Sequence, residues 1–397
     1  MASTPELPEL FEGLTTSQAS PAVSSVPDTM SRLPVEISSD IFLRSAPNAQ
    51  ASSVLVRVSR AWNRIALGTP SLWTTLSNDG IPAAKFPVLL KAWFARGQGL
   101  PVSLSQGPML PSAFLQTVEV LANNSQLVQT LNIYLHDGAL DKISCISFGA
   151  LRHLTIDASE DERVGTSADL IALVRGAPNL VECNLNEVFY THQNHSLDGL
   201  GSFTHSSLKH LRFGKSQDGF KRITASPAIL SCLKLPSLQT LRVFFTRNQR
   251  YTENDLVKFL TQSPAPLRAL HIGFSHRVRW RAAVLESLQL VSTTLTELEI
   301  LHPRNLATTL FDALDVNADL LPRLQSLHVR GYLDGDNLPE PQRISNVLKA
   351  RRGSVKSFRI CAVDEEVEFF GGVAAVLRPF ADAGVDVYVG TLFQNFV

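Results

Sequence analysis

A spaced apolar pattern that recurs nine times is the feature of this sequence that most constrains its fold. Each copy has an apolar residue, a second one three positions later and a third one two positions after that. The copies are Val128-Leu131-Ile133, Leu151-Leu154-Ile156, Leu180-Cys183-Leu185, Leu208-Leu211-Phe213, Leu238-Leu241-Val243, Leu267-Leu270-Ile272, Leu295-Leu298-Ile300, Leu324-Leu327-Val329 and Val355-Phe358-Ile360. Their first positions lie 23, 29, 28, 30, 29, 28, 29 and 31 residues apart. Unrelated elements would not keep such a period, so the pattern predicts an internally repeated architecture.

Each copy is expected to form a short strand. The second and third apolar residues are two positions apart and so lie on one face of a strand. The stretches "TENDLVKFL" and "PQRISNVLKA" between strands are predicted helices, and Thr252 followed by Glu253 and Asp255 suits a helix N-terminus. Each unit is therefore strand, turn, helix, turn, and stacked units bury a continuous core. "LPVSLS" at 100–105 and "GVDVYVG" at 384–390 are predicted terminal strands.

This pattern resembles the leucine-rich repeat over about residues 99–390. The Asn or Cys that usually follows the strand of such a repeat is mostly missing here. The resemblance implies an α/β fold, a leucine-rich-repeat solenoid of strand-turn-helix units.

The outward positions of the repeats suggest a binding surface. Residues two and four positions after each first apolar residue are predicted to point away from the core. At the fourth position, three consecutive copies carry Arg212, Arg242 and His271. Because guanidinium forks suit carboxylates and phosphates, we expect a basic strip that binds an acidic or phosphorylated substrate segment. The alternative is a solvated face without a binding role.

A second apolar segment lies near the N-terminus, in "SRLPVEISSDIF" at 31–42 and "LVRVSRAWNRIALGTPSLW" at 55–73. In it, Leu55, Val58, Trp62 and Ile65 fall at spacings of 3, 4 and 3. This spacing predicts one helix over residues 48–67.

Flanking residues suit this assignment. Asn48 is a plausible cap for the helix, and Gly68 is expected at its C′ position. Upstream, Pro34 suits a first helical turn, with Ile37 and Ile41 at i, i+4. A segment of two or three short helices is marginal alone, so it packs on the rest of the chain or binds a partner.

The residues of this segment, in this order, resemble an F-box. The matching positions are Leu33, Pro34, Glu36, Ile37, Ile41, Phe42, Leu55, Val58, Arg60, Trp62, Ile65, Pro70, Leu72 and Trp73. Ser59 departs from the pattern, because many F-boxes carry Cys there. F-box proteins dock through this motif on the Skp adaptor of cullin-based ubiquitin ligases, and many carry leucine-rich repeats that bind the substrate. The order of the two halves resembles F-box proteins of mushroom-forming fungi.

The resemblance implies specific roles for these residues. The implied adaptor-binding residues are Leu33, Pro34, Glu36, Ile37, Ile41, Val58 and Trp62. An alternative assigns part of the apolar set to the segment's own small core, above all Phe42, Leu55 and Ile65. Trp73 is expected to pack on an amphipathic helix at 83–97.

Four parts follow along the chain. They are a disordered tail at 1–28, rich in Ser, Thr and Pro, an F-box at 29–76, a linking helix and first strands at 77–127, and the solenoid at 128–397. The implied function is a non-catalytic, substrate-recruiting subunit of a Skp-cullin-F-box ubiquitin ligase. Its partners would be a Skp-type adaptor, through it a cullin, and an unidentified protein substrate. The alternative is a leucine-rich-repeat scaffold that does not direct degradation.

Composition and the absence of targeting segments argue against nucleic-acid-binding, secreted and membrane proteins. Lys+Arg and Asp+Glu both number 36, and this balance argues against a nucleic-acid or membrane-surface partner. The N-terminus lacks the regions of a secretory signal, and no apolar run is long enough for a membrane span. The cytoplasm or nucleus is therefore the expected compartment.

Signals for an enzyme or a metal site are weak. The cysteines, Cys145, Cys183, Cys232 and Cys361, are far apart and are expected to be buried or half-buried rather than in disulfides or a zinc site. No phosphate loop, G-x-S-x-G or H-E-x-x-H motif occurs. The two His of "HQNH" at 192–195 and the Arg/Trp cluster "HRVRWR" at 276–281 are interpreted as solvated, and Cys183 as a core strand residue. No cofactor or metal is expected, and a hydrolase or metal enzyme is the third alternative.

Overall fold

The computed structural model describes residues 33–45, 49–158, 163–186, 189–190, 202–213, 227–245, 255–274, 281–301, 306–331, 339–362, 367–391 and 394–397. These residues form two compact units. The first contains the described residues up to 158 together with 172–180, and the second contains 163–171 and the described residues from 181 onwards. The predicted tail at 1–28 and the predicted caps Asn48 and Thr252 lie outside the described residues.

Three short helices open the first unit. They are α1 (Val35–Ser45), α2 (Ala49–Val58) and α3 (Arg60–Leu67). Phe42 of α1 is 1% exposed, and its ring centroid lies 4.9 Å from that of Trp62 on α3. Leu55 is also buried and Ile65 is half-buried. The burial of Phe42 and Leu55 agrees with the alternative that assigned them to the segment's own core, and Ile65 is only partly covered.

The segment predicted as a single helix over 48–67 is two helices. Ser59 separates them in an extended conformation, with φ −157° and ψ 166°, and its hydroxyl accepts a hydrogen bond from the Trp62 amide at 3.2 Å. Serine favours this N-cap position because its oxygen satisfies an amide that has no intrahelical partner. The single-helix prediction was therefore wrong. Gly68 follows α3 with φ −83°, outside the left-handed region expected for a C′ glycine.

Trp73 joins these helices to the next one. It lies in a 3₁₀ turn (Pro70–Trp73), is fully buried, and meets Trp93 of helix α4 (Phe86–Gly97) edge-on, with ring centroids 4.6 Å apart. Its indole N–H donates to the Ala66 carbonyl at 3.0 Å. The Arg96 guanidinium lies 5.1 Å from the Trp73 ring centroid. The predicted packing of Trp73 on the helix at 83–97 is confirmed, although residues 83–85 form a 3₁₀ turn.

A parallel sheet completes the first unit. Its strands, in order, are β1 (Thr75–Ser77), β2 (Val102–Gln106), β3 (Val128–Leu135) and β4 (His153–Ala158). The connections include a 3₁₀ turn (Ser125–Leu127) and the helices α5 (Pro111–Asn124) and α6 (Leu140–Ser144). Strand β2 is the predicted N-terminal strand at 100–105. Strand β1, which pairs with it from the other side, was not predicted.

The second unit contains a long parallel sheet. Its strands, in order, are β6 (Glu182–Asn186), β9 (His210–Phe213), β11 (Thr240–Phe245), β12 (Ala269–Phe274), β13 (Glu297–Leu301), β14 (Ser326–Gly331), β15 (Ser357–Ala362) and β16 (Asp386–Thr391). The helices between its later strands are α8 (Asp255–Gln262), α9 (Arg281–Leu290), α10 (Leu306–Val316), α11 (Pro341–Ala350) and α12 (Val367–Asp382). The chain passes between the two units after residues 158, 171 and 180, and the second of these places lies within α7 (Ser167–Arg175). None of the helices in the described residues is long and apolar enough to cross a membrane.

The repeated apolar triplets form the core of these sheets. All three positions of all nine copies are buried, none more than 7% exposed. The registers align the copies, with Leu211 opposite Leu241 and Leu241 opposite Leu270. Burying each such side chain contributes about 1.5–3 kcal/mol, which explains why the period is kept. The predicted strands and the α/β class with a long parallel sheet are confirmed.

The connections are less regular than the predicted strand-turn-helix unit. Described residues between β6 and β9 form the two-residue strands β7 (Phe189–Tyr190) and β8 (Phe203–Thr204). Between β9 and β11 they form a 3₁₀ helix (Pro227–Cys232) and strand β10 (Leu233–Lys234). Strand β10 pairs with β8, and β7 pairs with β5 (Arg163–Gly165), in separate two-stranded sheets.

The chain folds back over the last strand. The Phe396 amide donates to the Val389 carbonyl at 2.8 Å, and Gly390 of β16 pairs in antiparallel fashion with Asn395. A Cβ on Gly390 would collide with the Gln394 carbonyl, so only glycine allows this approach. The returning segment pairs with β16, whose open edge would otherwise be available to other strands.

Candidate functional site

Uncovered apolar side chains are concentrated at the start of the described chain. Among the residues that the structure describes, seven of the thirteen exposed large hydrophobic ones lie between positions 33 and 58. They are Leu33 at 40%, Val35 at 56%, Ile37 at 50%, Ile41 at 37%, Leu43 at 40%, Val54 at 59% and Val58 at 52% exposure. We use "apolar face" as a name for these seven residues, which share the segment 33–58 rather than one side of a helix, since Val35 and Ile37 are two positions apart on α1. Scattered exposed apolar residues are normal in proteins, but a concentration in one short segment marks an interaction surface.

The predicted adaptor-binding residues lie at this surface with one exception. Exposed are Leu33, Pro34, Glu36, Ile37, Ile41 and Val58. Trp62 is half-buried and contacts Phe42, so it supports the surface more than it forms it. Val35, Leu43 and Val54 were missed, because the sequence pattern does not show which side of each short helix the rest of the unit covers.

Polar bonds hold the helices beneath the apolar face. Ser39 on α1 and Thr69 bond through their hydroxyls at 2.9 Å. Ser52 of α2 donates to the Leu72 carbonyl at 3.2 Å, and the Asn63 amide group on α3 donates to the Val56 carbonyl at 2.9 Å. These bonds fix α1, α2 and α3 relative to one another, so the apolar face is preformed.

A second candidate surface is the polar side of the long sheet. The predicted strip residues are neighbours there, with Arg212 opposite Arg242 and Arg242 opposite His271. The next strand places Glu299 opposite His271. All four residues are half-buried.

Glu299 changes the character of this strip. Its Oε2 lies 2.5 Å from Nδ1 of His271 and 3.6 Å from Nη2 of Arg242. His271 also lies close to Glu297, with 3.5 Å between Nε2 and Oε1. The carboxylates therefore offset part of the positive charge that the sequence predicted for this strip.

Burial and charge shift the titration of two groups in this row. Burial acts to raise the pKa of Glu299, but the hydrogen bond with His271 and the charges of His271 and Arg242 outweigh it, so the pKa lies below 4.5. Burial lowers the pKa of His328, opposite Glu299, below 6.5, and Glu299 opposes this shift while Arg359 adds to it.

These two shifts predict a loss of stability in acid. In both cases the unfolded state binds the proton first as the pH falls. The His328 contribution is present above pH 6.5 and is lost as the pH falls through its lower folded pKa; the Glu299 contribution is lost in the same way below pH 4.5. We expect thermal unfolding midpoints to fall between about pH 7 and pH 4.

Variants report on the two contributions, which are coupled because Glu299 and His328 shift each other's pKa. His328→Gln should flatten the part of the curve that begins as the pH falls below 6.5, and Glu299→Gln the part below 4.5. His153→Gln, at an exposed histidine of the first unit, is the control and should leave the curve unchanged. A His328→Gln curve parallel to that of the wild type would contradict the assignment.

A hollow of about 360 Å³ opens next to Glu299 on the same sheet face. Its lining residues are Glu299, His328, Val329, Arg330, Arg359, Cys361 and Tyr388. Arg359 donates through Nη2 to Asp386 at 2.8 Å, and the Tyr388 hydroxyl donates to the Thr391 carbonyl at 2.5 Å. The His328 Nε2 lies 3.0 Å from the Ser326 hydroxyl.

Of the residues considered for catalysis or metal binding, the cysteines are described by the structure and most of the others are not. Burial raises the pKa of Cys183 to about 12, so this core thiol is unreactive near neutral pH. Cys232 is buried and Cys361 half-buried, but Cys145 is exposed, contrary to the prediction for the cysteines. "HQNH" at 192–195 and residues 276–280 lie outside the described residues. Among the described residues, no group of three His, Cys, Asp or Glu side chains could hold a metal ion.

Comparison with known proteins identifies one domain. Residues 30–79 match the family model described as F-box-like. F-box domains bind Skp-type adaptors in Skp-cullin-F-box ubiquitin ligases, and F-box proteins are typically non-catalytic adaptors. The search of curated proteins found no match. All seven residues of the apolar face lie within the matched segment.

Proposed function

We propose that this chain is the substrate-recruiting subunit of a Skp-cullin-F-box ubiquitin ligase. The observation that carries the proposal is the apolar face within the F-box-like segment. The segment docks on a Skp-type adaptor and through it on a cullin, while the following region binds a target protein. The chain then acts by raising the local concentration of a target lysine near the ubiquitin carrier, and does no covalent chemistry itself.

The exposed anchors have the properties of an interface centre. Leu33, Pro34, Ile37, Ile41 and Val58 present aliphatic surface that a partner can desolvate completely. Well-buried anchors of this kind contribute about 2 kcal/mol or more each. Glu36 is exposed in the first turn of α1, and we place it at the rim of the proposed interface. A charge at an interface rim affects orientation and association rate more than affinity. Trp62 stiffens the surface from beneath through its contact with Phe42.

The region after the F-box is proposed to be a leucine-rich-repeat solenoid that binds the target. The nine near-evenly spaced triplets support this assignment, since all their residues are buried and the second and third of each lie on parallel strands. The boundaries at 28, 76 and 127, the similarity to F-box proteins of mushroom-forming fungi and the location in the cytoplasm or nucleus belong to the same proposal. Arg212, Arg242 and His271 remain a proposed part of the target-binding surface, with Glu299 among them.

Co-purification with the Skp-type adaptor of the same species tests the proposal. The wild type should bind the adaptor with a one-to-one molar ratio. Pro34→Ala combined with Ile37→Asp should weaken binding about a hundredfold or more, because it removes one anchor and places a charge where the partner excludes water. The measurement is affinity of the purified pair by calorimetry.

A matched control keeps the result specific. Val316→Asp places the same charge on an apolar residue that is 90% exposed on α10 in the second unit, and it should not affect adaptor binding. Failure of the wild type to bind, or equal loss with Val316→Asp, would overturn the docking role. Cullin in the same complex supports a ligase subunit; adaptor without cullin favours the alternative, an interaction scaffold that does not direct degradation.

A further inference from the structure

The polar face of the long sheet carries guanidinium groups on four strands. They belong to Arg212 on β9, Arg242 on β11, Arg330 on β14 and Arg359 on β15. Burial lowers the pKa of Arg242, Glu299 acts to raise it, and the charges of Arg212 and Arg330 lower it further. The positive charges of Arg212 and Arg330 therefore act on the Arg242 guanidinium across the strands. An anion placed among them would relieve this repulsion.

Two acids on this sheet face, among the described residues, already have partners. Glu299 is held by His271 and Arg242. Asp386 accepts from the Ser357 hydroxyl at 3.0 Å and from Arg359 at 2.8 Å. Because a guanidinium has five N–H donors in a fork, Arg359 can hold Asp386 and still donate to a second group.

The hollow brings two of these arginines together. Arg359 stands opposite His328 on one side and Tyr388 on the other, and Arg330 is two residues beyond His328 on the same strand face. Both side chains line the hollow, together with Tyr388. Its volume of about 360 Å³ admits a side chain with its adjoining backbone, and lies at the small end of the range for ligand pockets.

We propose that this hollow binds an oxyanion presented by a partner polypeptide, a phosphorylated or an acidic side chain, through the guanidinium groups of Arg330 and Arg359. Guanidinium forks donate paired hydrogen bonds to phosphate and carboxylate alike. The polypeptide would be the target that the proposed ligase subunit recruits, and this identification of the polypeptide rests on the proposed function. Anion binding itself requires no adaptor.

The test uses the full chain and dye-labelled nonapeptide pools. The pools are degenerate at the flanking positions and have a fixed central phosphoserine, glutamate or glutamine. Fluorescence anisotropy should show at least tenfold tighter binding of the phosphoserine or the glutamate pool than of the glutamine pool, with the preference weakening as salt is added. Tighter binding of the phosphoserine pool identifies phosphate as the source of the oxyanion, and equal binding of both acidic pools identifies charge alone.

Two variants that break the same ion pair should act in opposite directions. Arg359→Gln should lower affinity for the acidic pools at least tenfold, because it removes a donor and a positive charge. Asp386→Asn should raise it about fivefold, because it removes the competing negative charge. Arg330→Gln should resemble Arg359→Gln. Arg352→Gln, at an exposed arginine after α11 that does not line the hollow, should change nothing.

The outcomes separate this inference from the docking role. Arg359→Gln and Asp386→Asn changing affinity in the same direction would mean that the ion pair is only structural and would overturn the inference. Equal binding of acidic and glutamine pools would do the same. Adaptor binding measured on the same preparations reports on the F-box-like segment alone, so retained adaptor binding with no peptide preference refutes the oxyanion site and leaves the docking role intact.

Discussion

Replacing Trp73 by alanine will lower the free energy of unfolding of the first unit by about 3–5 kcal/mol, the range for removing a large buried aromatic side chain. Trp73 is fully buried and joins two parts of that unit, through its ring to Trp93 on α4 and through its indole N–H to Ala66 on α3. Its loss leaves a cavity, and the Ala66 carbonyl loses the indole donor and keeps the Thr69 amide, at 3.2 Å. Because α1, α2 and α3 form a segment too small to be stable alone, we expect them to lose order first.

Hydrogen exchange and adaptor binding measured together check this expectation. Exchange of amides at 35–67 should accelerate in Trp73→Ala, while amides of the long sheet keep their protection. The affinity of Trp73→Ala for the adaptor should also fall, because part of the binding free energy is then used to order the apolar face. Trp73→Phe keeps part of the ring contact but loses the N–H bond and leaves space where the second ring was. It should therefore cost less than Trp73→Ala but more than the hydrogen bond alone, which is worth about 0.5–1.5 kcal/mol. Loss of adaptor binding without loss of stability would mean that Trp73 contacts the adaptor directly.

Replacing Arg351 by methionine will destabilise the second unit by about 3–5 kcal/mol, because three carbonyls lose their guanidinium donor. Of these, the Asn317 carbonyl keeps the Leu320 amide as a donor, at 3.2 Å. Arg351 is 5% exposed, and its guanidinium donates to the carbonyls of Leu314 at 3.0 Å, Asn317 at 3.2 Å and Leu320 at 3.0 Å. These carbonyls lie at the C-terminus of α10 and in the turn after it, where backbone acceptors lack helical partners. A cation is also favoured at this end of a helix.

The adjacent arginine is the control for this change. Arg352 is exposed, and Arg352→Met should change stability by less than about 0.5 kcal/mol. Arg351→Lys should fall between the two, because one ammonium cannot reproduce the planar fork that spans three carbonyls. Chemical denaturation monitored on the second unit measures all three. Equal costs for Arg351→Met and Arg352→Met would show that the carbonyl bonds add little.

Local pattern was sufficient to place the strands. In every triplet the second and third residues lie in one strand, and the first lies in that strand or two residues before it, so the spacing is local. The burial of these positions shows which face of each strand is covered. All nine strands and both terminal strands were therefore found from the sequence. The helix at 83–97 and the contact of Trp73 with it were also found, because an aromatic residue next to an amphipathic stretch has few other places to pack.

Errors arose where one side chain decides between two local structures. The spacing of Leu55, Val58, Trp62 and Ile65 continues across Ser59, so a period alone predicts a single helix. The Ser59 hydroxyl instead caps a new helix that begins at Arg60, so Leu55 and Val58 lie on one helix and Trp62 and Ile65 on the next. Strand β1 was missed for a similar reason, since three residues carry no period.

The sequence by itself determined the repeated strand core and the F-box resemblance of the N-terminal segment. Both depend on the order and spacing of residue types over short stretches of the chain. Tertiary structure decided the rest. It brought Glu299 against Arg242 and His271 and placed Arg330 and Arg359 around one hollow, because side chains about 30 residues apart become neighbours only when strands align in register. It also buried Arg351 and exposed Arg352, a difference that depends on which side of the turn faces α10 and that two identical letters in a row do not reveal.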